Sequence, residues 1–135
     1  MKISFSTLGC PNYSWTDIYS MAKDLGFDGI EIREIESENA RSPFSPEKYE
    51  STKKLLSELK IEIPCLSTGC CLKFADRREE NYRELIQYIN VAKNVGAKYI
   101  RILADLEPAP DGEVDDALIA DELAEIIPYA EENGV

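Results

Sequence analysis

The chain of 135 residues contains no histidine. That removes, within these residues, a Ser-His-Asp triad, a Cys-His pair and every metal motif that needs an imidazole. Acid–base work would fall to carboxylates, thiols, Lys or Tyr. Neither GxGxxG nor GxxxxGK[ST] occurs, so the two common phosphate-cradling loops are missing as well. Basic residues are few, 15 against 26 acidic, for a net charge of −11 and no Lys/Arg run. Such a surface repels nucleic acid and anionic membranes in bulk. No apolar run approaches the ~20 residues of a membrane span. The N-terminus MKISFSTLGC is too short and too polar for a secretory h-region, and the expected compartment is the cytosol. Cysteine is sparse: Cys10, Cys65, Cys70 and Cys71, none forming CxxC. Reduced thiols are expected there, and the paired spacing of a zinc site is lacking. Asn12-Tyr13-Ser14 fits a glycosylation sequon, which has no use in a cytosolic chain.

Apolar residues make up 44% of the chain, enough for one core and one domain. Four segments with helical spacing alternate with short β-type runs. Strand one is Ile3 to Thr7. Helix one runs from Trp15 to Leu25, with Ser14 as N-cap, Asp17 three residues on and Gly26 as the stop. Strand two is Gly29 to Glu34. Helix two starts at Ser45-Pro46 and runs to Leu59. Strand three is Glu62 to Ser67. Helix three follows Asp76, with Glu79 in capping-box position, and ends at Val95 before Gly96. Strand four is Lys98 to Ala104. Helix four spans Val114 to Glu132, with Pro128 expected to kink or restart it.

The joints repeat: AKDLGFDGIEI, LSELKIEIPCL, AKNVGAKYIRI and, cut short, AEENGV. Strands joined through helices are parallel, so the class is α/β. An open doubly wound sheet and part of a (βα)8 barrel both fit. The strands decide between them. Ile30 and Ile32 alternate with Glu31 and Arg33, and Ile100 and Ile102 with Tyr99 and Arg101. Strands covered on both faces would be apolar throughout. A parallel sheet with one polar face predicts a barrel with a polar lining. A full barrel takes about 250 residues, so the expectation is a parallel (βα)4 half of a TIM barrel over 1–135. It would be N-terminal and cut at the start of strand five.

In barrels the chemistry sits where strands end. Here those stretches are Thr7 to Asn12, Arg33 to Ser37, Ser67 to Lys73 and Ala104 to Asp111. They carry Cys10, Asn12, Arg33, Glu34, Thr68, Cys70, Lys73 and Asp105. Glu31, Arg33 and Arg101 have two readings. They tile the barrel floor as an ion network, or the arginines reach the mouth and bind hydroxyls, a carboxylate or a phosphate. Cys70 and Cys71 are packed thiols or substrate contacts; without histidine, only Lys73 or Arg77 could activate them. Tyr13 and Trp15 are packing residues or a sugar-stacking pair. The acids after Asp111 suit a helix N-terminus or, less simply, a metal.

MKISFSTLGCP, AKDLGFDGIEIRE, IPCLSTG and VAKNVGAKYIRILAD, in this order and spacing, resemble the N-terminal half of the xylose isomerase-like TIM barrels. The nearest subgroup is the sugar phosphate isomerases/epimerases. The resemblance implies a divalent metal (Mn, Mg or Zn) in the whole protein, held by Glu, Asp, His and Glu on strands of the C-terminal half. It implies that the proton-moving carboxylates lie there too, leaving no catalytic or metal residue in these 135. The family often has a histidine after strand three, where this chain has Lys73 and Phe74. By position, the resemblance puts substrate contacts at Cys10, Arg33, Thr68, Cys70 and Asp105. The implied ligand is a small sugar or sugar phosphate. Other expectations are a homodimer through exposed strand edges, closing an eight-stranded barrel, or, against the charge, a DNA-repair enzyme like endonuclease IV.

Overall fold

The computed structural model describes residues 1–33, 43–104 and 116–135. Four strands alternate with four helices: β1 Ser4–Ser6, α1 Trp15–Asp24, β2 Gly29–Arg33, α2 Tyr49–Leu59, β3 Cys65–Cys71, α3 Arg78–Val95, β4 Tyr99–Leu103 and α4 Asp116–Glu132. The strands form one sheet in the order β1-β2-β3-β4, every pairing parallel. No described helix is long and apolar enough to cross a membrane.

The helix ends follow from local chemistry. Ser14 and Asp17 form a reciprocal capping box, with the Asp17 N–H donating to Ser14 Oγ at 3.2 Å. The carboxylate of Asp17 accepts from the Ser14 backbone N–H at 3.1 Å. These bonds hold the Asp17 carboxyl below the usual range, the Ser14 hydroxyl first among the causes. Helices α2 and α3 are entered differently. Short 3-10 turns, Pro46–Lys48 and Ala75–Arg77, lead into them, and neither α2 nor α3 has a side-chain cap. The capping box expected at Asp76 and Glu79 is therefore not formed. The turn before α3 puts Arg77 at the cap position instead. Helix α4 runs through Pro128 without a restart.

The four joints share one geometry. A residue in the left-handed region follows each helix: Gly26 (φ 72°), Lys60 (φ 58°), Gly96 (φ 81°) and Gly134 (φ 75°). The next N–H then reaches back five residues, Phe27 to Ala22, Ile61 to Leu56, Ala97 to Ala92 and Val135 to Ala130, at 2.9–3.0 Å. This is the Schellman ending that glycine favours. Lys60 holds that conformation with a Cβ, at a cost of about 1 kcal/mol. Lys60→Gly is expected to raise stability by about 0.5 kcal/mol, once glycine's greater freedom in the unfolded chain is counted. Urea midpoints of the two proteins measure it.

Alternation in the strands sorts the two faces of the sheet. Ile30, Ile32 and Leu66 have no exposed surface and lie under the helices, against Ile18 and Ala22 of α1, Leu56 of α2 and Ala92 of α3. A second cluster joins Cys70, Leu85, Ile89 and Ile126, and Ile100 and Val135 pack against both. Trp15 stands edge-on to Phe44 with centroids 5.0 Å apart, so it is a packing residue. Tyr13 is exposed.

Candidate polar face at the strand ends

The face of the sheet away from the helices carries the other half of each alternation. The register places Ser6 beside Glu31, Arg33 beside Ser67, and Ser67 beside Arg101. In a parallel sheet, paired residues point to the same side. Ser6, Glu31, Arg33, Ser67 and Arg101 thus form one polar field across all four strands.

Glu31 is the fixed point of that field. Ser67 Oγ donates to Glu31 Oε1 at 2.7 Å and Ser6 Oγ donates to the same oxygen at 3.2 Å. The ion network expected among Glu31, Arg33 and Arg101 is absent: no ion pair within 4.0 Å joins them, and hydroxyls satisfy the carboxylate instead. The reason is register. Arg33 and Arg101 share a row with Ser67, two residues further along the strands than Glu31. Arg33 is half-buried and Arg101 exposed.

Two threonines hold the backbones of those arginines. Thr7, in the turn after β1, accepts from the Arg33 N–H at 2.8 Å and donates to the Arg33 carbonyl at 3.4 Å. Thr68 donates to the Arg101 carbonyl at 3.0 Å and accepts from the Cys70 N–H at 3.2 Å. Residue type and spacing did not point to Thr7 as more than a strand end. The signal was a hydroxyl placed at the C-terminal end of a strand beside an arginine.

The expected substrate contacts fare differently. Strand β3 continues through the stretch expected to be a loop, as far as Cys71, with a bulge between Ser67 and Cys71. Extended strand and alternation carry Thr68 and Cys70 to the helix-covered side, where they are 0% and 1% exposed. Thr68 has spent its hydroxyl on backbone. The Cys70 thiol donates to the Asn81 carbonyl at 3.7 Å, and burial pushes it up to about 12. Neither residue faces the polar field. Cys10 is half-buried near Phe5, Tyr13 and Met21, beside β1, and burial raises its thiol too. Only Arg33 of the expected contacts lies in the field itself. Asp105 lies outside the described residues, as do Glu34 and the acids from Asp111 to Asp115.

Thiol chemistry offers a direct check. Cys10 and Cys65 are half-buried, whereas Cys70 and Cys71 are buried. At pH 8 a thiol reagent is expected to modify two cysteines slowly in the native chain and four in urea. Native modification of Cys70, located by peptide mass, would contradict its placement.

The polar field does not fit a divalent metal. Among the described residues no three of His, Cys, Asp or Glu converge on a point, and the field's one carboxylate is already occupied by two hydroxyls.

Comparison with known proteins gives the fold a family. No curated protein matches in sequence. Among solved structures, the probable 3-DHS dehydratase AsbF from Bacillus anthracis superposes with a TM-score of 0.77 at 22% identity, over 100% of this chain and 50% of that one. The IOLI protein with a bound zinc atom gives 0.79 at 18%, over 100% and 49%. The 3-keto-D-glucoside 4-epimerase YcjR from E. coli gives 0.67 at 18%, over 100% and 54%. At these identities the likeness is one of fold, and the chain spans about half the length of each structure. The family model for the xylose isomerase-like TIM barrel matches residues 19–135. With four parallel βα units and that match over most of its length, the chain belongs to the xylose isomerase-like TIM barrel family.

Proposed function

We propose that these residues are the substrate-orienting half of a sugar or sugar-phosphate isomerase or epimerase that works with a divalent metal, and that they have no activity alone. The observation that carries this reading is the polar field. It offers two guanidiniums, a carboxylate and serine hydroxyls on one face of a half-barrel, groups suited to an oxygen-rich molecule. Structural neighbours include an epimerase and a zinc-binding protein, which fits the class of chemistry. In this reading the residues described here bind and orient. Arg33 and Arg101 hold substrate oxygens, and Glu31, fixed by Ser6 and Ser67, accepts from a hydroxyl. The metal's ligands and the groups that move the proton beside the carbonyl belong to other residues of the barrel.

The test is an assay for ketose interconversion with added Mn²⁺, Mg²⁺ or Zn²⁺. The isolated chain is expected to give no turnover. The product of the gene read beyond Val135 is expected to interconvert ketoses or ketose phosphates, and to lose that activity with chelator. Turnover by the isolated chain, or none by a folded longer product, would overturn the reading.

A second reading concerns assembly. The outer edges of β1 and β4 have no strand partner among the described residues. Beside β1 an open apolar hollow is lined in part by Phe5, Met21, Leu25 and Phe27, and beside β4 Tyr99 is 67% exposed. Two copies joined edge to edge would give eight parallel strands. Light scattering after size exclusion decides it: a mass near twice 15.2 kDa supports pairing, and a monomer at high concentration rejects it.

A further inference from the structure

Arg33 and Arg101 stand out in an acidic chain. Among the described residues they have no ion-pair partner, and they lie on the face of the sheet turned away from the described helices. The exposed arginines of α3, by contrast, are paired: Arg78 with Glu125 at 2.8 Å and Arg83 with Glu79 at 2.9 Å. The two arginines flank Ser67 in a single row. One strand lies between them, so their Cα atoms are roughly 10 Å apart. Two arginine side chains are long enough to span that gap with a small anion between them. Their backbones are fixed from the helix side by the buried hydroxyls of Thr7 and Thr68. Among the described residues the field's only carboxylate is Glu31, two residues before Arg33 on its strand, where it accepts from Ser6 and Ser67.

We propose that Arg33 and Arg101, on either side of Ser67, form an anion clamp that takes the phosphate or carboxylate group of the substrate. The proposal rests on the reading of this face as a substrate surface, and narrows the ligand to an anionic sugar. Guanidinium forks match both groups, while the Ser67 hydroxyl between them is buried and already donates to Glu31. Preorganised backbones limit what each arginine must give up on binding. Glu31 is repelled by the anion, so it favours a ligand whose charged end lies toward the strand ends and whose hydroxyls lie deeper.

The clamp is tested on the chain itself by following backbone amide resonances during titration with inorganic phosphate at low salt. The largest shifts are expected at Arg33, Ser67 and Arg101. Arg33→Ala and Arg101→Ala should each weaken binding about threefold, the scale of one exposed charge contact, and the double variant about tenfold or more. Arg83→Ala, on the outer face of α3, should change nothing. Arg33→Gln serves if the alanine variant fails to fold. Raising salt to 0.5 M should also remove binding. Ribose 5-phosphate, gluconate and fructose then separate the sources. Preference for the first assigns a phosphate, preference for the second a carboxylate, and equal binding of fructose overturns the clamp. So do shifts centred elsewhere, binding indifferent to both arginines, or no binding. Because the readout needs no turnover, a failed titration leaves the isomerase reading standing for neutral sugars. Phosphate binding with no activity in the longer protein does the reverse.

Discussion

Ile32→Ala and Leu66→Ala are each expected to lower the free energy of unfolding by about 3 kcal/mol. Both side chains have no exposed surface. They are also paired across β2 and β3, at the register point where the sheet is covered by the helices. Each truncation removes three side-chain carbons and leaves a cavity that rigid neighbours on two layers cannot fill. Because the two residues touch one cavity, the double variant should lose less than the sum. Urea unfolding with an unchanged slope measures the effect. A loss below about 1 kcal/mol for either would mean that the site collapses freely, which the packing against α1 and α3 argues against. In a domain stabilised by a margin of about 5–15 kcal/mol, a loss of this size is a large share of the whole.

Thr68→Val comes second. The change keeps the shape and deletes the hydroxyl. Two backbone groups then lose this partner, the part-buried Arg101 carbonyl and the buried Cys70 N–H. The expected loss is about 2 kcal/mol. Thr68→Ser keeps the hydroxyl and should recover most of it, short of the missing methyl. Amide exchange separates this from a plain packing defect, since the Cys70 N–H should lose protection far more than the Leu66 N–H. The same variant should loosen phosphate binding, because Arg101 loses its backbone anchor while its side chain is untouched.

How much of this was legible in the sequence depended on the range of the forces involved. The joints were legible because each is written in one short stretch: an apolar helix face, a residue that tolerates positive φ, and a β-branched run. Even the joint without glycine, at Lys60, was found by its neighbours. The Ser14–Asp17 box was likewise local. The extent of β3 was not. Ser67, Thr68 and Gly69 have the composition of a turn, and what extends them is pairing with β4 and a threonine hydroxyl that bridges the bulge. That error moved Thr68 and Cys70 from the helix side to the mouth. The charge partners of Glu31 were misjudged for a similar reason. Spacing put Glu31 and Arg33 on one face, but only the cross-strand register tells that serines are nearer than guanidiniums. At α3 the expected cap failed because a 3-10 turn shifted the helix start by one residue, which puts Arg77 at the cap.

The consecutive strand order has a bearing on how such a sheet comes into being. Among the described residues each strand pairs only with those just before and just after it in the chain, so each of these ladders closes a segment of about 25–35 residues and none of the four strands waits for a distant one. During synthesis each new βα unit can dock on the previous one as soon as it emerges. The same property makes the sheet extensible. A further unit added at either edge disturbs no ladder already made, until the eighth closes the barrel.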